Sequence, residues 1–217
     1  FRIVNNYFGE IEPGADPGEV KIVEPVQDGE KRVEVFFKSR PFLIMGWKKP
    51  AAPDPVDTAF DVISTALGDG KSSRLHKSLV LDKKIASAVY TWNGAPGARY
   101  NNMFVIYAAP AQGVTPEELE KEILNEINLF RDGVTESEIE RVKNIGESSF
   151  LFMMDSNESI AGTLSYYETV LQDWRYLAGY TGRLNRVSRE DVQGAIDNYM
   201  TEKNRTVGIL RDRRGGE

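Results

Sequence analysis

The sequence predicts an α+β domain with two layers, a two-layer sandwich in which an antiparallel sheet is covered on one face by helices. Strand-like segments occur in pairs joined by short loops, which is typical of antiparallel sheets, and helical segments are grouped between and after them. The predicted order along the chain is ββ-αα-ββ-αααα-β. With 217 residues, the chain is long enough for one large core or for two small domains.

Composition excludes several classes of protein. The net charge is −6 and no basic tract is present, so a nucleic-acid partner is not expected. The chain has no cysteine, which excludes disulfides and thiolate metal sites and fits an oxidising or a reducing compartment alike. No apolar run approaches the ~20 residues that a membrane-spanning helix needs, so no membrane span is expected.

Residues 1–28 are predicted to stand apart from the main domain at 29–217. An apolar helical stripe in residues 1–8 ends at Gly9, and residues 12–28 form a linker rich in proline, glycine and acidic side chains. So short a helix is marginal in water, and we expect it to pack against this domain or against a domain upstream. The chain opens without a start methionine or a signal peptide, which predicts a piece of a longer precursor.

Five segments have the features of strands. In the first, Val33, Val35 and Phe37 alternate with charged residues, which predicts one buried and one solvated face. Pro41 lacks an N–H and therefore belongs at a strand start or a sheet edge. The charged tail at 211–217 is expected to fray. The other four strands are predicted at 42–47, 86–92, 103–108 and 206–210.

Helix starts are marked by capping residues. Asp54 is the predicted N-cap of a helix with Pro55 at its first position. The helix that begins near Thr135 is expected to run past Phe150, until polar residues at 153–159 interrupt it. Capping patterns predict this start at 135–138 and two further helix starts at 115–118 and 188–191.

The segment L-G-D-G-K-S-S-R-L-H-K-S-L at 67–79 joins two predicted helices. The first is expected to end at Gly68, with G-D-G as a flexible turn, and either Ser72 or Ser73 is expected to cap the second. The letters G-K-S also resemble the end of a phosphate-binding loop. That motif requires a first glycine where this chain has Thr65, and a strand where this chain has a helical pattern, so a plain helix–helix connection is the better interpretation.

Several side chains that could suggest a site have a plainer interpretation. His76 has no second histidine or carboxylate at i+3 or i+4, so it is expected at the surface or half-buried rather than on a metal. The glutamates of residues 117–122 are expected on a solvated helix face. Aromatic residues within predicted strands and helices are expected in the core, namely Trp47, Tyr90, Trp92, Tyr166 and Tyr167. One apolar cluster has two equally good interpretations: it lies in the core, or it packs against a missing domain. The cluster consists of Phe150, Phe152, Met153 and Met154.

Three motifs resemble the C-terminal, non-metal-binding domain of the pitrilysin or insulinase-like (inverzincin) zinc metallopeptidases. Y-F-G-E-I at 7–11, with the linker behind it, resembles the last helix of that family's zinc domain. P-D at 53–54, the following helix and L-G-D-G-K-S-S-R-L at 67–75 resemble a family helix and its L-G-G-G-x-S-S-R-L turn. G-V-T-E-S-E-I at 133–139 resembles the start of G-V-T-x-x-E-L-x-x-A-K. Mitochondrial processing peptidase and bacterial two-subunit zinc proteases have the same pattern.

The resemblance implies a place for this domain in a larger protein. Family members surround a closed chamber with four such domains, in one chain or across two subunits. Residues 1–28 would then be the terminal helix of the preceding zinc domain plus a linker, and 29–217 a non-catalytic peptidase-like domain. Zinc is the implied cofactor of the parent protein, with none expected in this fragment. The implied substrate- or partner-facing loop consists of Gly68, Asp69, Gly70, Lys71, Ser72, Ser73 and Arg74.

The sequence departs from the family's active pattern in two places. The zinc motif H-x-x-E-H needs two histidines and this chain has His76 alone, so neither catalytic nor metal-binding residues are expected here. Members that anchor the substrate backbone carry an arginine and a tyrosine where this chain has Val80 and Ser87. The chain therefore resembles the second domain of a zinc-bearing subunit.

Two functions are compatible with these features. The first is an inactive domain of a zinc endopeptidase that closes the proteolytic chamber and shapes the peptide site, with H-x-x-E-H upstream. The second is a non-proteolytic structural or assembly subunit of the same fold. The implied partners are the upstream zinc domain, a second peptidase-like subunit or half with the Arg/Tyr pair, and a peptide. For a bacterial member, an export signal outside this fragment would direct the protein to the periplasm or a membrane.

Overall fold

A computed structural model of the chain describes residues 1–15, 18 and 24–212. In these ranges five strands form one sheet, in the spatial order β1-β5-β2-β4-β3. Their positions confirm the five predicted strands, with ends that extend the predictions by up to three residues. The strands are β1 (Lys31–Phe37), β2 (Phe42–Lys49), β3 (Ala86–Ala95), β4 (Asn102–Pro110) and β5 (Arg205–Asp212).

The sheet is antiparallel except at one edge. β5 lies between β1 and β2, antiparallel to β2 and parallel to β1. The pairing of β1 with β2 that their short connection suggested is therefore wrong. Neighbouring strands are only about 4.8 Å apart, so the four residues at 38–41 are long enough to pass the end of one intervening strand.

β1 also lacks the predicted buried face, because all seven of its residues are exposed. At the other end of the chain, Arg211 and Asp212 belong to β5 rather than to a frayed tail. Arg211 donates two hydrogen bonds of 2.9 Å to the carboxylate of Glu34 on β1 and also contacts Glu117. The rest of the predicted tail, 213–217, lies outside the described residues.

Helices cover one face of the sheet, as predicted. The helices are α1 (Arg2–Phe8), α2 (Pro55–Gly68), α3 (Pro116–Gly133), α4 (Glu136–Met153), α5 (Asn157–Leu171), α6 (Arg175–Ala178), α7 (Tyr180–Arg186) and α8 (Arg189–Tyr199). The predicted helix at 174–187 is thus two short ones. A π-helical segment at His76–Asp82 and a 3-10 turn at Glu202–Asn204 complete the connections.

The predicted capping residues account for the starts of α2, α3, α4 and α8. The Asp54 side chain accepts a hydrogen bond of 2.9 Å from the N–H of Val56. Complete capping boxes form at α3, between Thr115 and Glu118, and at α8, between Ser188 and Asp191. These local bonds satisfy N–H groups that have no partner inside the helix.

The core lies between the helices and one face of the sheet. The apolar face of α2 is buried there, as its spacing predicted. Trp47 and Phe104, on neighbouring strands, are fully buried and lie 6.3 Å apart between ring centroids. The other face of the sheet carries a register row that includes Val33, Ile44 and Tyr90, in which the two edge residues are exposed.

The N-terminal helix does not contribute to this core. α1 ends beside Gly9 as predicted, but its apolar residues Ile3, Val4, Tyr7 and Phe8 are all exposed. In the described part of the chain no helix is long and apolar enough to cross a membrane.

Candidate functional site

The loop at 68–74 begins where the sequence predicted, but its first glycine has a different role. α2 ends at Gly68, which is buried against β3. A Cβ atom there would lie 2.8 Å from the Cβ of Thr91 and still closer to its Oγ1 and Cγ2. Gly68 therefore allows a close approach of helix and strand. Gly70, with φ of +72°, is the residue that needs glycine for its conformation.

Ser73 stabilises the loop instead of capping the next helix. Its hydroxyl donates a hydrogen bond of 2.8 Å to the carbonyl of Gly70, and the side chain is buried. The predicted cap by Ser72 or Ser73 is therefore wrong. The helix that follows adopts π-type bonding, with the N–H of Lys83 donating to the carbonyl of Ser78.

Arg74 joins two of the motifs recognised in the sequence. Its guanidinium donates hydrogen bonds of 2.7 and 2.6 Å to the carboxylate of Glu138 and one of 3.2 Å to the carbonyl of Gly133. It also lies over the ring of Phe130, 5.0 Å from the centroid. The bonds to Glu138 raise the pKa of Arg74. The Thr135 side chain accepts a hydrogen bond from the N–H of Glu138, but the Glu138 carboxylate binds Arg74 instead of the N–H of Thr135. The predicted capping box at Thr135 is therefore only half formed.

The loop thus divides into an inner and an outer part. Gly68 and Ser73 are buried and Arg74 is half-buried. The outer part, exposed to solvent, consists of Asp69, Gly70, Lys71 and Ser72.

The outer part of the loop lies at one end of a groove beside β3. β3 is an edge strand, since among the described strands it pairs with β4 alone. Tyr90 and Trp92 on this strand are 59% and 42% exposed, so the prediction that they lie in the core is wrong, whereas it is confirmed for Trp47. We call this depression the β3 groove; its volume is about 420 Å³, and it is lined by Asp61, Ser64, Thr65, Gly68, Asp69, Gly70, Tyr90, Thr91, Trp92, Asn93 and Tyr180.

Alternate residues of β3 point from this groove toward α2. The hydroxyl of Thr91 donates a hydrogen bond of 2.8 Å to the carbonyl of Ser64. The amide of Asn93 donates to the carboxylate of Asp61 at 2.9 Å and to the carbonyl of Asp57 at 2.9 Å. These bonds fix the floor of the groove to a rigid helix.

A smaller cavity, the Asp61 pocket, adjoins the groove. Its volume is about 170 Å³, and its lining includes Asp57, Asp61, Asn93, Tyr166, Tyr167, Tyr176 and Tyr180 together with small and aliphatic residues. Tyr166 is 49% exposed and Tyr167 half-buried, so the predicted core position of this pair is wrong; both lie at the cavity wall. The rings of Tyr167 and Tyr176 lie 5.8 Å apart.

The pocket changes the acidity of its groups. Burial raises the pKa of Asp61 to about 6; the hydrogen bond from Asn93 acts in the opposite direction, and the nearby Asp57 adds to the increase. Burial also raises the pKa of Tyr167 to about 12 and that of Tyr180 still further. Of Asp61, Tyr167 and Tyr180, only Asp61 therefore has a pKa near neutral.

Sequence reasoning missed Asp61, although a signal was present. Asp57 and Asp61 stand at i and i+4 on one helix, a spacing at which like charges repel. Lys49 offsets one of the charges, because its ammonium contacts the carboxylate of Asp57. Two like charges at this spacing beside an apolar stripe indicate that the second carboxylate, Asp61, faces other parts of the protein rather than open solvent.

Other predicted residues fall outside the groove. His76 is half-buried, as expected. Glu120 is not on a solvated face as predicted; it is buried and accepts bonds of 2.8 and 2.7 Å from Arg32. Phe152 is 79% exposed, which excludes it from the core of the described domain. Val80 packs against the core, and Ser87 is exposed.

The comparison with protein families identifies the domain. Residues 1–145 match the family model described as the peptidase M16 inactive domain. The chain belongs to this family. The predicted fold and the resemblance to zinc metallopeptidases are thereby confirmed.

Several related proteins are longer than this chain, which matches only part of their length. It is 28% identical over 192 residues to the zinc protease PqqE of Helicobacter pylori, covering 87% of this chain and 42% of that protein. A protease structure from Helicobacter pylori superposes with a TM-score of 0.87 at 24% identity, over 97% of this chain and 51% of the other. The inactive peptidase domain from Bordetella parapertussis superposes with a TM-score of 0.69 at 23% identity, over 80% and 93%. The chain thus spans less than half of the curated relative.

The relatives are named as zinc proteases, but the described residues of this chain form no metal site. Within 1–15, 18 and 24–212, no group of three histidine, aspartate or glutamate side chains is arranged to hold a metal ion. The side chains of these described ranges therefore do not form the set of three protein ligands that a catalytic zinc usually requires.

Proposed function

We propose that this chain is the non-catalytic part of a zinc-dependent endopeptidase and that proteolysis requires an H-x-x-E-H domain outside it. The observation that carries the proposal is an M16 inactive domain with one histidine, which covers less than half of a relative named as a zinc protease. In this proposal, 1–28 is the last helix of the zinc domain plus a linker, and 29–217 forms part of the chamber wall.

Two exposed apolar surfaces support docking against the missing part of the protein. The first is α1, whose apolar residues are exposed although so short a helix is marginal in water. The second is the outer face of β1, with Val33, Val35 and Phe37 each at least half exposed. Apolar side chains in such numbers on one edge are typical of an interface.

The β3 groove is the proposed contact with the peptide. An extended peptide can add to a free edge strand by backbone pairing, and β3 has such an edge among the described strands. Asp69, Gly70, Lys71 and Ser72 are exposed at the end of this groove, so we assign to them the contacts with peptide or partner that the resemblance implied for the whole loop.

The domain is proposed to lack the anchoring function, which a second subunit or half would supply. Val80 and Ser87 stand where anchoring domains carry arginine and tyrosine, and Val80 is packed against the core. Neither side chain can form the charged or aromatic contact that anchoring needs.

The proposal is tested with the full zinc-bearing protein, expressed alone and with candidate partners. We expect hydrolysis of an unfolded peptide to appear on mixing with a partner that carries the arginine and tyrosine, and to fall when either is replaced. Full activity of the zinc-bearing protein alone, with no gain on mixing, would contradict it. If replacing the arginine and tyrosine leaves turnover intact while deleting the partner abolishes it, the partner only stabilises the fold.

A further inference from the structure

The Asp61 pocket contains acceptors that form no ion pair among the described residues. Asp61 receives one hydrogen bond, from Asn93. The Oδ1 atom of Asn93 is itself buried and has no hydrogen-bond partner among the described residues. Buried acceptors of this kind usually have a partner, because leaving one unsatisfied costs free energy.

Two cations of the chain, Lys49 and Arg183, lie near enough to Asp61 to act against the increase in its pKa, but neither bonds to it. The ammonium of Lys49 contacts Asp57 and donates to the carbonyl of Pro50 at 3.1 Å. The guanidinium of Arg183 lies on the ring of Tyr176, 3.4 Å from its centroid, and its Nε and Nη2 atoms are buried without a hydrogen-bond partner among the described residues. Among the residues that the structure describes, none forms an ion pair with Asp61.

The walls of the pocket suit a cation as well. Aromatic faces attract a cation that lies within about 6 Å of the ring centre, and four tyrosines are among the lining residues. Arg183 already lies on the ring of Tyr176, which leaves Tyr166, Tyr167 and Tyr180 for a further cation. A volume of about 170 Å³ accommodates one long side chain but not a folded segment. An aliphatic stem along the rings with its charge at Asp61 would use both features.

The position of the pocket connects it to the edge of β3. Side chains of a strand alternate between faces, and a strand added to β3 would lie about 4.8 Å from it. Every second side chain of that strand would point toward α2, on the side where Thr91 and Asn93 point. The pocket and the groove share Asp61, Asn93 and Tyr180, so the pocket lies directly beside the groove that the added strand would fill.

We propose that the Asp61 pocket binds a basic side chain, lysine or arginine, of an extended peptide paired with β3. Asp61 accepts a charge-assisted hydrogen bond from the ammonium or guanidinium group, and Asn93 Oδ1 accepts a second. This inference rests on the proposed function in that the groove takes a peptide, and it adds the chemical class of residue that the groove selects.

The test uses fluorescently labelled peptides of β-forming sequence that differ at one central residue. The probes carry lysine, norleucine or glutamate, so norleucine keeps the aliphatic stem and lacks the charge. Binding to the purified chain is measured by anisotropy near pH 7.5. We expect the lysine peptide to bind roughly tenfold tighter than the norleucine peptide, the size typical of a hydrogen bond to a charged group, and the glutamate peptide to bind weakest.

Variants identify the residue responsible. Asp61→Asn should reduce the preference for lysine to within about twofold, and Asp61→Glu should restore part of it. Asp82→Asn is the matched control, since it removes the same charge from an exposed position outside the groove, and it should retain the full preference. Circular dichroism melts establish that each variant is folded.

The outcomes separate this inference from the proposed function. Equal binding of lysine and norleucine peptides to the unmodified chain would overturn the inference and leave the groove a peptide site. A lysine preference that survives Asp61→Asn would also overturn it. Binding of no peptide would remove both the inference and the role of the groove, while the proteolysis experiment would still decide the parent activity.

Discussion

The close contact between α2 and β3 predicts that the smallest possible side chain at Gly68 destabilises the domain. In Gly68→Ala, the new Cβ would lie 2.8 Å from Thr91 Cβ and closer to two other atoms of that side chain. Real Cβ atoms do not approach so closely, so helix, strand or side chain must move. Overpacking of this kind costs roughly 1–3 kcal/mol, and displacing the Thr91 hydroxyl from Ser64 adds about 1 kcal/mol. We expect a loss of about 2–4 kcal/mol.

The assay is urea unfolding of four proteins: the unmodified chain, Gly68→Ala, Thr91→Ala and the double variant. Thr91→Ala removes the two atoms nearest to the new Cβ, so the cost of Gly68→Ala should fall by about half in that background. Gly162→Ala in α5 is the matched control, since its Cβ would meet nothing within 4 Å. It should stabilise the chain by about 0.5–1 kcal/mol. A Gly68→Ala variant as stable as the parent, or an additive cycle, would refute the close contact.

Three further predictions concern the loop and the pocket. Gly70→Val should cost about 1–2 kcal/mol, because the φ of +72° is strained for a β-branched residue; an unchanged melting temperature would contradict this. Arg74→Ala should cost about 2–3 kcal/mol in urea unfolding, because it leaves the half-buried Glu138 without its partner, and Glu138→Gln should cost less. Equal stability of Arg74→Ala and the parent would be evidence against a stabilising contact between the two motifs. Asp61→Asn should stabilise the chain by about 1–3 kcal/mol near pH 7.5 and by little below pH 4, since the folded pKa of about 6 exceeds the unfolded value and the charged carboxylate costs stability as pH rises through this range. A difference between the two proteins that does not change with pH would contradict the raised pKa of Asp61.

Features set by local hydrogen bonds could be predicted from the sequence. The helix starts at Asp54, Thr115 and Ser188 follow from capping chemistry within three residues. The end of α2 at Gly68 and the positive φ of Gly70 follow from the glycine pattern.

Features set by long-range neighbours could not be predicted in this way. A short connection between β1 and β2 does not exclude a strand between them, so the position of β5 was missed. The alternation in β3 gives two faces but does not reveal an edge strand, which is why Tyr90 was assigned to the core. The environment of Asp61 comes from Asn93 and from tyrosines more than a hundred residues away, and only the i, i+4 repulsion marked it.

Zinc content and peptide hydrolysis of the purified chain, measured alone and after joining it to its zinc-bearing part, test the central claim most directly. We expect no stoichiometric zinc and no hydrolysis for the chain alone, because one histidine cannot supply the ligands. We expect hydrolysis that a chelator stops once the H-x-x-E-H domain is present. Stoichiometric zinc in the chain alone, together with hydrolysis that a chelator abolishes, would contradict it.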